Sequence, residues 1–535
     1  MLSAELQSWL PLLLFVLLRA LFWCLSPSAT PPDRRQRPPA IAGALPLLGN
    51  ALQYKRDPAG LLSRAAAAHG GVFRIALPGF SATVLCDKRA LRCFALAPER
   101  ELSAVDATEA LGFGTTLGAL NVRAGTAVHK GILQSTLLPA LAAEGEAGAR
   151  GELHALVAEA LRATIARAAN AERAAAAVLR PAAARAGGRT GNAARTVELF
   201  ALVREAVLRA TATHLLGEAA VTSCGSWFVA AFTAFQDSVE AATARAVALP
   251  PWLAQWMVLD PVAAQRRALA ARLAPSLALH WGAPPPLPGA ARGGGWLRAL
   301  HALRNQERGE GEGGSFSAAQ AADLTCGLLF AAHKNAAIAV AQCVALLLER
   351  PAAFRAVVSE ARTACAAPGP AACPLLCSAL HETLRLSAHT IGAIRRVRAA
   401  WWAFEGADGQ RYAVPRGSFV VASHVVPHLR DAAAFPAAAE FRAERFVAAS
   451  GEDGAPAFTG HRLDPFTFTT FSHGTHACPG QRYALCAMRA ALWTLLAEYD
   501  VSVSPQQPLP AVSFERATLA QRRGPCHVEV RARGA

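Results

Sequence analysis

The chain has 535 residues and a formal net charge of +15, from 53 Lys and Arg against 38 Asp and Glu. Hydrophobic residues make up 53% and charged residues 17%, which excludes disorder as the main state. The basic residues are mostly arginines scattered through an alanine-rich chain, so we expect no nucleic-acid partner. The 12 cysteines contain no C-x-x-C pair, which argues against a zinc module or a disulfide scaffold and suits a reducing compartment.

The N-terminus is predicted to be a single transmembrane anchor. An apolar stretch runs from Trp9 to Leu25 and is interrupted only by Arg19, which lies near its end and can snorkel. A cleaved signal peptide is the alternative, but its positive charges precede the apolar run, whereas here they follow it. We therefore expect an anchor over residues 1–30, a proline-rich hinge over residues 31–50 and a domain on the cytosolic side.

Residues 51–535 are predicted to form one domain that is mainly α with a small β portion. Ala- and Leu-rich helical patterns dominate residues 100–385. The low-complexity segments 167–195 and 284–314 are predicted to be expanded surface loops within this domain. The predicted strands are Val72–Ile75, Ala82–Cys86, Phe419–Ala422 and Cys526–Val530.

The stretch from Ala321 to Leu348 is predicted to be the longest uninterrupted helix. The polar residues His333, Lys334 and Asn335 cluster near its middle. Polar side chains inside a buried helix are costly unless they are partnered. The cluster indicates either a kink or helix end, or a helix that passes an active site at this point.

One cysteine-containing segment carries the strongest chemical signal. Phe471 to Gly480 reads F-S-H-G-T-H-A-C-P-G, and a helical run begins at Arg482. A helix N-terminus stabilises a thiolate, and the glycines Gly474 and Gly480 let the backbone approach a flat, bulky group. A thiolate presented in this way can be the axial ligand of a haem iron. The alternative is a buried structural cysteine in a turn.

This segment resembles the haem-ligand signature F-x-x-G-x-x-x-C-x-G of the cytochrome P-450 superfamily. The matching residues are Phe471, Gly474, Cys478 and Gly480. The resemblance implies the cytochrome P-450 fold and a haem b whose iron is bound by the Cys478 thiolate. The position two before the cysteine, often an arginine for a haem propionate, is His476 here. Other candidate cations for the propionates are Arg395, Arg396, His129 and Lys130.

Two further motifs, in the expected order before the cysteine, support the resemblance. Glu382 to Arg385 resembles the E-x-x-R of the family's K helix, where the two charged residues share one helix face. Phe441 to Phe446 resembles the following P-E-R-F element, with Ala443 where proline is usual. The resemblance implies a buried structural cluster of Glu382, Arg385 and Arg445, whereas either motif alone would be taken as a surface ion pair.

The oxygen-side helix departs from the usual A-G-x-[DE]-T motif. It reads Ala331 to Ala336, with Asn335 where the threonine would lie. Asn335 and its spacing to Pro351 resemble the branch of sterol and oxysterol 7α-hydroxylases, sterol 12α-hydroxylases and prostacyclin synthase. The segments 249–253, 508–510 and 524–530 are most similar to the 24-hydroxycholesterol 7α-hydroxylase of that branch.

The resemblance implies a monooxygenase of the endoplasmic reticulum membrane, with its catalytic domain in the cytosol. It would hydroxylate a sterol or oxysterol at the 7α position with O2 and with NADPH electrons from NADPH-cytochrome P-450 reductase, and Asn335 would lie at the oxygen site. Three alternatives stay open: a sterol 12α-hydroxylase, an endoperoxide isomerase of the prostacyclin synthase type, and a haem-binding sensor or carrier without turnover.

Overall fold

The structure is a computed structural model. The described residues are 35–45, 48–77, 80–143, 151–179, 194–246, 249, 251–280, 292–307, 317–364, 372–450, 455–516 and 518–533. The predicted anchor over residues 1–30 lies outside the described residues, as do the first residues of the predicted hinge and residues 284–291 and 308–314 of the second predicted loop. The described part of that segment corrects the loop prediction, because Gly295–Glu307 is a helix whose residues Trp296 and Leu300 are buried in the core.

The described chain is mainly helical, as the sequence predicts. The helices of its N-terminal half are α1 Ala51–Arg56, α2 Pro58–His69, α3 Lys88–Leu96, α4 Ala104–Ala110, α5 Phe113–Thr116, α6 Thr126–Ile132, α7 Leu138–Ala143, α8 Glu152–Leu179, α9 Leu199–Leu216, α10 Glu218–Cys224 and α11 Trp227–Ala246. The later helices are α12 Pro251–Ala254, α13 Asp260–His280, α14 Gly295–Glu307, α15 Ala318–Ala332, α16 Lys334–Leu348, α17 Pro351–Thr363, α18 Pro374–Leu386, α19 Val425–Arg430 and α20 Gln481–Glu498. π-helical turns occupy Asn121–Gly125, Leu133–Leu137 and Gln255–Leu259.

The β portion is small. Its strands are β1 Val72–Leu77, β2 Phe80–Leu85, β3 Leu102–Ser103, β4 Arg195–Glu198, β5 Ala393–Val397, β6 Trp401–Glu405, β7 Arg411–Pro415, β8 Phe419–Ala422, β9 Val447–Ser450, β10 Ala455–Phe458, β11 Tyr499–Val503, β12 Val512–Ser513, β13 Gln521–Arg522 and β14 His527–Ala532. The largest sheet has the order β1-β2-β8-β5-β3, and β11, β14 and β4 form a second sheet. Three two-stranded sheets are formed by β6 with β7, by β9 with β10 and by β12 with β13.

The predicted helix over residues 321–348 is interrupted. Helix α15 ends at Ala332 and α16 begins at Lys334, because His333 has φ −120° and ψ −38°. The physical reason is that the two helices pack in different cores. Buried side chains of α15 join the core formed with α11, α13 and α14, whereas those of α16 join the core formed with α8, α9, α18 and α20. The break therefore lies where the two helical cores meet.

Two further expectations need correction. The longest described helix is α8, with 28 residues, and it continues to Leu179, into the Ala- and Arg-rich segment that was predicted to be a loop from residue 167. Alanine and arginine are among the strongest helix formers, so low complexity alone did not imply a loop there.

One stretch of the described residues is long and apolar enough to cross a membrane. It is Ala318–Leu348, which comprises α15, His333 and α16, and 78% of its most apolar window is buried inside the protein. A buried core helix passes the same test of length and composition, and the packing of these two helices in separate cores is that of core helices.

Candidate active site

The cysteine-containing segment is a tight loop that leads into helix α20. The backbone amide of Cys478 donates a hydrogen bond to the carbonyl of Phe471 at 2.8 Å, and Ala477 donates to Gly474 at 3.1 Å. Helix α20 begins three residues after the cysteine, at Gln481. The loop therefore presents Cys478 just before a helix N-terminus, as the sequence predicts, and the cysteine is exposed.

Gly474 is required by the packing of this loop. Its φ is +68°, and a Cβ added there would lie 2.6 Å from the carbonyl oxygen of Ala95 in helix α3. A side chain would therefore suffer both backbone strain and a clash with the backbone. Gly474 lets the loop rest directly on α3, which fixes the position of the following residues up to Cys478.

Two opposing effects act on the Cys478 thiol. Protein atoms surround the exposed sulfur closely enough for desolvation to raise its pKa, and the backbone N–H of Gly480 lowers it again. The positive end of α20 acts in the same direction as that N–H. A bound metal ion would lower the pKa of the Cys478 thiol much further, because a coordinating thiol is deprotonated outright.

Glu382 is the centre of a buried charged cluster. Both of its oxygens accept hydrogen bonds from Arg385, at 2.7 and 2.8 Å, and from Nε of Arg445, at 2.9 Å. Glu382 and Arg385 are fully buried, and the Arg445 side chain is nearly so. The structure thus brings together the three residues of the predicted structural cluster, and surface ion pairs are excluded for them.

A hydrogen-bonded chain connects this cluster to the cysteine loop. The guanidinium of Arg385 donates to the carbonyl of His428 at 2.9 Å. The His428 ring lies 2.8 Å from the carbonyl of Arg385 through Nδ1, and its Nε2 accepts the backbone N–H of Thr469 at 2.8 Å. Thr469 opens the 3-10 turn that ends at Phe471, the residue that accepts from Cys478. The cluster therefore supports the loop through His428, which the motifs did not identify as a support.

Two of the four other candidate cations lie near the cysteine loop. Lys130, in α6, donates to the carbonyl of Thr475 at 3.4 Å. Arg395, in β5, is buried and donates to the carbonyls of Phe94 and Ala97. Burial lowers the pKa of His476, and the charges of Arg395 and Lys130 lower it further, whereas Glu99, whose carboxylate lies 3.7 Å from the His476 ring, raises it. Arg395, Lys130 and His476 therefore form one group beside the loop.

The other two candidates face elsewhere. Arg396 follows Arg395 in β5, so its side chain points to the opposite face of the sheet, where it is exposed and donates to the carbonyl of Gly417. His129 contacts the carbonyl of Leu324 in α15 at 3.0 Å and packs on Trp296. Burial lowers the pKa of His129 to about 4, so its ring is neutral near pH 7 and offers no charge to a carboxylate.

Asn335 lies on the open face of the central helix pair. Between residues 321 and 347, which the structure describes without a gap, only Ala331 and Asn335 are exposed. They are four residues apart and therefore lie on one face, although the intervening His333 departs from helical geometry. Of the polar cluster predicted here, only Asn335 can reach molecules from outside the protein.

His333 and Lys334 point into the protein instead. The His333 ring packs on Phe232 with centroids 5.6 Å apart, and the Lys334 ammonium pairs with Asp237 at 2.8 Å and with Glu240 at 2.6 Å. All three partners are on helix α11. The first reading of the polar cluster is confirmed, since the helix breaks at His333, while the reading that the helix passes an active site stays a prediction, with Asn335 facing outward. The carboxylate partners of Lys334 were not found from the sequence, because no motif connects α11 with α16.

The residues around the loop fit a haem. Cys478 supplies an accessible thiol, and the buried Arg395 forms no ion pair within 4 Å in the described part of the chain, although the charge of Glu99 acts on it. Nearby, both ring nitrogens of buried His473 have no hydrogen-bond partner among the described residues. A buried cation with no carboxylate in direct contact and a buried ring without hydrogen-bond partners suit a ligand with carboxylate groups. Arg395, Lys130 and His476 would hold those carboxylates, and Cys478 would hold the iron.

Comparison with known proteins agrees with this geometry. The family model for cytochrome P-450 matches residues 297–529. A cytochrome P-450 monooxygenase of Ganoderma lucidum is 29% identical over 201 residues, which are 37% of this chain and 38% of that protein. A cytochrome P-450 of Oryza sativa subsp. japonica is 34% identical over 127 residues, which are 24% of this chain and 21% of that protein.

A 5-beta-cholestane-3-alpha,7-alpha-diol 12-alpha-hydroxylase of Sus scrofa is 27% identical over 145 residues, which are 27% of this chain and 25% of that protein. The chain thus spans 38% or less of the length of the curated relatives named here. Residues 297–529 of the chain, which include the cysteine loop and the Glu382 cluster, are thus similar to the cytochrome P-450 family. The sterol 7α-hydroxylase branch is a finer assignment that these matches do not reach.

Proposed function

We propose that the protein is a membrane-associated haem-thiolate monooxygenase that hydroxylates a sterol or oxysterol. Its cofactor would be haem b, and its electrons would come from NADPH through NADPH-cytochrome P-450 reductase. The observation that carries the proposal is the exposed Cys478, presented before helix α20 by a loop that the buried Glu382 cluster supports. A sensor or carrier needs only the cysteine, whereas the exposed amide of Asn335 is a further polar group available to a reacting ligand.

The residues of the chain have separate tasks in this proposal. When bound, the haem supplies the activation of O2 and the oxidation of a C–H bond. Cys478 holds the iron as thiolate, while Arg395, Lys130 and His476 orient the cofactor through its carboxylates. Asn335 cannot give up a proton as a hydroxyl does. Its Nδ2 donates two hydrogen bonds and its Oδ1 accepts, so it can hold a water or a substrate oxygen in place.

The sterol substrate is supported by the relationship to the porcine 12-alpha-hydroxylase, whose printed name includes a cholestane diol. The 7α position rests on the sequence resemblance of residues 249–253, 508–510 and 524–530. The same porcine match favours a second candidate, hydroxylation at the 12α position. An endoperoxide isomerase of the prostacyclin synthase type would use the same cysteine and asparagine, and it needs neither O2 nor a reductase.

The endoplasmic reticulum membrane is the proposed location, with the domain on the cytosolic side. In the described residues, support comes from the segment that follows helix α11. There, Trp252 and Trp256 are 67% and 69% exposed, and Met257 is also exposed. Exposed aromatic residues next to apolar ones suit the membrane–water interface. This contact would be additional to the predicted anchor over residues 1–30.

The proposal is tested with the full chain, haem and the reductase in lipid vesicles. We expect NADPH-dependent O2 uptake that increases with a sterol from a panel of cholesterol, side-chain-oxidised cholesterols and cholestane diols, together with a hydroxylated product. The position of the new hydroxyl, read by mass spectrometry and NMR, separates 7α from 12α. Conversion of a prostaglandin endoperoxide without the reductase, and no NADPH use with any sterol, would instead identify the isomerase. Haem binding without either reaction would identify a sensor or carrier.

A further inference from the structure

One face of helix α11 packs against the break between α15 and α16. Phe232 and Gln236 are one turn apart on this helix, and Glu240 is one turn further. Phe232 packs on the ring of His333, and Nε2 of Gln236 donates to the carbonyl of Phe330 at 2.8 Å. This carbonyl lies in the last turn of α15, where a regular helix would continue. The side chains of α11 thus stabilise the break directly.

Lys334 forms the ion pairs between the break and helix α11. Its side chain is only 3% exposed, and its ammonium donates to Oδ1 of Asp237 at 2.8 Å and to Oε2 of Glu240 at 2.6 Å. Arg204, from α9, also binds Asp237, through both carboxylate oxygens at 2.9 Å. The two cations and two carboxylates compensate each other, which is the condition for burying the Lys334 ammonium, although the Asp237 side chain itself is 52% exposed. Removing Lys334 leaves Glu240 without a cation in this cluster.

Lys334 and Asn335 are consecutive residues at the start of α16. An α-helix turns 100° per residue, so the direction of one side chain fixes the direction of the next. We propose that Lys334 is a positioning residue: its ion pairs with Asp237 and Glu240 fix the rotation of the first turn of α16, and thereby aim the Asn335 amide at the reacting molecules. The inference rests on the proposed function, because it assigns Asn335 a task in that reaction.

The proposal implies that the position of α11 would affect the site. Helix α11 ends at Ala246, a few residues before the exposed aromatic segment that contains Trp252 and Trp256. A displacement of α11 would move Asp237 and Glu240, and through Lys334 it would rotate Asn335. The effect can be large, because a misplacement of about 1 Å can cost about 10²-fold in rate.

The test compares Lys334→Met with the conservative Lys334→Arg in the holoenzyme with reductase. For Lys334→Met we expect a several-fold fall in product formed per NADPH and a matching rise in hydrogen peroxide, with kcat more affected than KM. Lys334→Arg keeps a cation beside the two carboxylates, so it should retain most of the product yield. The matched control is Arg266→Met. Arg266 is a similarly buried cation that pairs with Asp323, at the far end of α15 from the break.

A double variant separates positioning from a general loss of stability. If Lys334 acts through Asn335, Lys334→Met should change the product yield little in an Asn335→Ala background, because the two effects are then not additive. Additive losses, an unchanged yield in Lys334→Met, or an equal loss in Arg266→Met would overturn the proposal. Absence of NADPH-dependent turnover in the unaltered protein would instead count against the proposed function. Haem content and urea unfolding, measured for every variant, identify losses due to misfolding.

Discussion

The backbone amide of Thr469 donates a hydrogen bond to Nε2 of His428 at 2.8 Å. Since Nε2 accepts, the proton of the neutral ring is on Nδ1, which donates to the carbonyl of Arg385 at 2.8 Å. One buried imidazole thus joins the helix that carries the Glu382 cluster to the loop that carries Cys478. The cluster can support the loop only while this ring is neutral and in place.

The first prediction follows from this contact. His428→Ala leaves the Thr469 amide and the Arg385 carbonyl without their partner and opens a cavity in a buried place. We expect a loss of about 2–5 kcal/mol in the free energy of unfolding and faster loss of haem. Urea unfolding and transfer of haem to an acceptor protein measure the two effects. His69→Ala, at the partly exposed end of α2, should change neither, and a stable His428→Ala that keeps its haem would contradict the supporting role.

The second prediction concerns the proposed iron ligand. Cys478→His replaces the thiolate by an imidazole, which donates less electron density to the iron. The reduced CO complex should therefore lose the red-shifted absorption band that thiolate ligation produces. Cys93→Ser, a substitution of another cysteine that is not fully buried, serves as the control and should keep the band. A Cys478→His protein that keeps it would exclude Cys478 as the ligand.

The third prediction concerns Asn335. Asn335→Ala removes the exposed amide from the open face of α16 but no buried contact, so folding and haem content should be unchanged. We expect less product and more hydrogen peroxide per NADPH oxidised, because nothing then holds the water or substrate oxygen. The measurement is the ratio of product to NADPH with the sterol that gives the fastest turnover. An unchanged ratio would show that Asn335 has no part in the reaction.

The fourth prediction concerns stability at low pH. Burial lowers the pKa of His389 to about 4 and those of His333 and His428 to about 3, against 6.5 for an unperturbed histidine. Below pH 6.5 the unfolded chain binds protons at these positions while the folded protein does not. These histidines therefore contribute stability above pH 6.5 that is lost progressively as the pH falls toward 4.

Urea midpoints at pH 7.5, 6 and 5 measure this loss. The midpoint should fall with pH, and His389→Phe, which removes one of the titrating groups, should make the fall less steep. A urea midpoint that does not change between pH 7.5 and 5 would contradict this prediction. It would mean that these rings take up protons equally in the folded and the unfolded state.

The fifth prediction concerns the membrane. In protein that lacks residues 1–30, Trp252 and Trp256 should still give partial binding to vesicles, because aromatic side chains partition to the interface. Trp252→Asp should reduce this binding, as measured by flotation. Leu279→Asp, at another highly exposed apolar position, is the matched control and should have no effect. Complete solubility of the shortened protein would refute a second membrane contact.

The sequence by itself indicated a family resemblance and the residues of the candidate site. The spacing of Phe471, Gly474 and Cys478 and the E-x-x-R pair are local patterns, so they can be read from a single chain. The mainly α architecture and the central helical stretch were also predictable, because helical periodicity and propensity are properties of neighbouring residues. The break at His333 depends on packing between distant helices, so the sequence indicated it only as one of two explanations for the polar cluster.

The tertiary structure decided what depends on contacts between distant segments. Arg395 and Arg396 are equivalent in the sequence, but strand β5 alternates its side chains, so only Arg395 lies with Lys130 and His476. Likewise, Lys334 and Asn335 are neighbours, yet one is buried against Asp237 and Glu240 and the other is exposed. Such assignments depend on which helix packs beside α16, and packing joins residues about 100 positions apart that no local pattern connects.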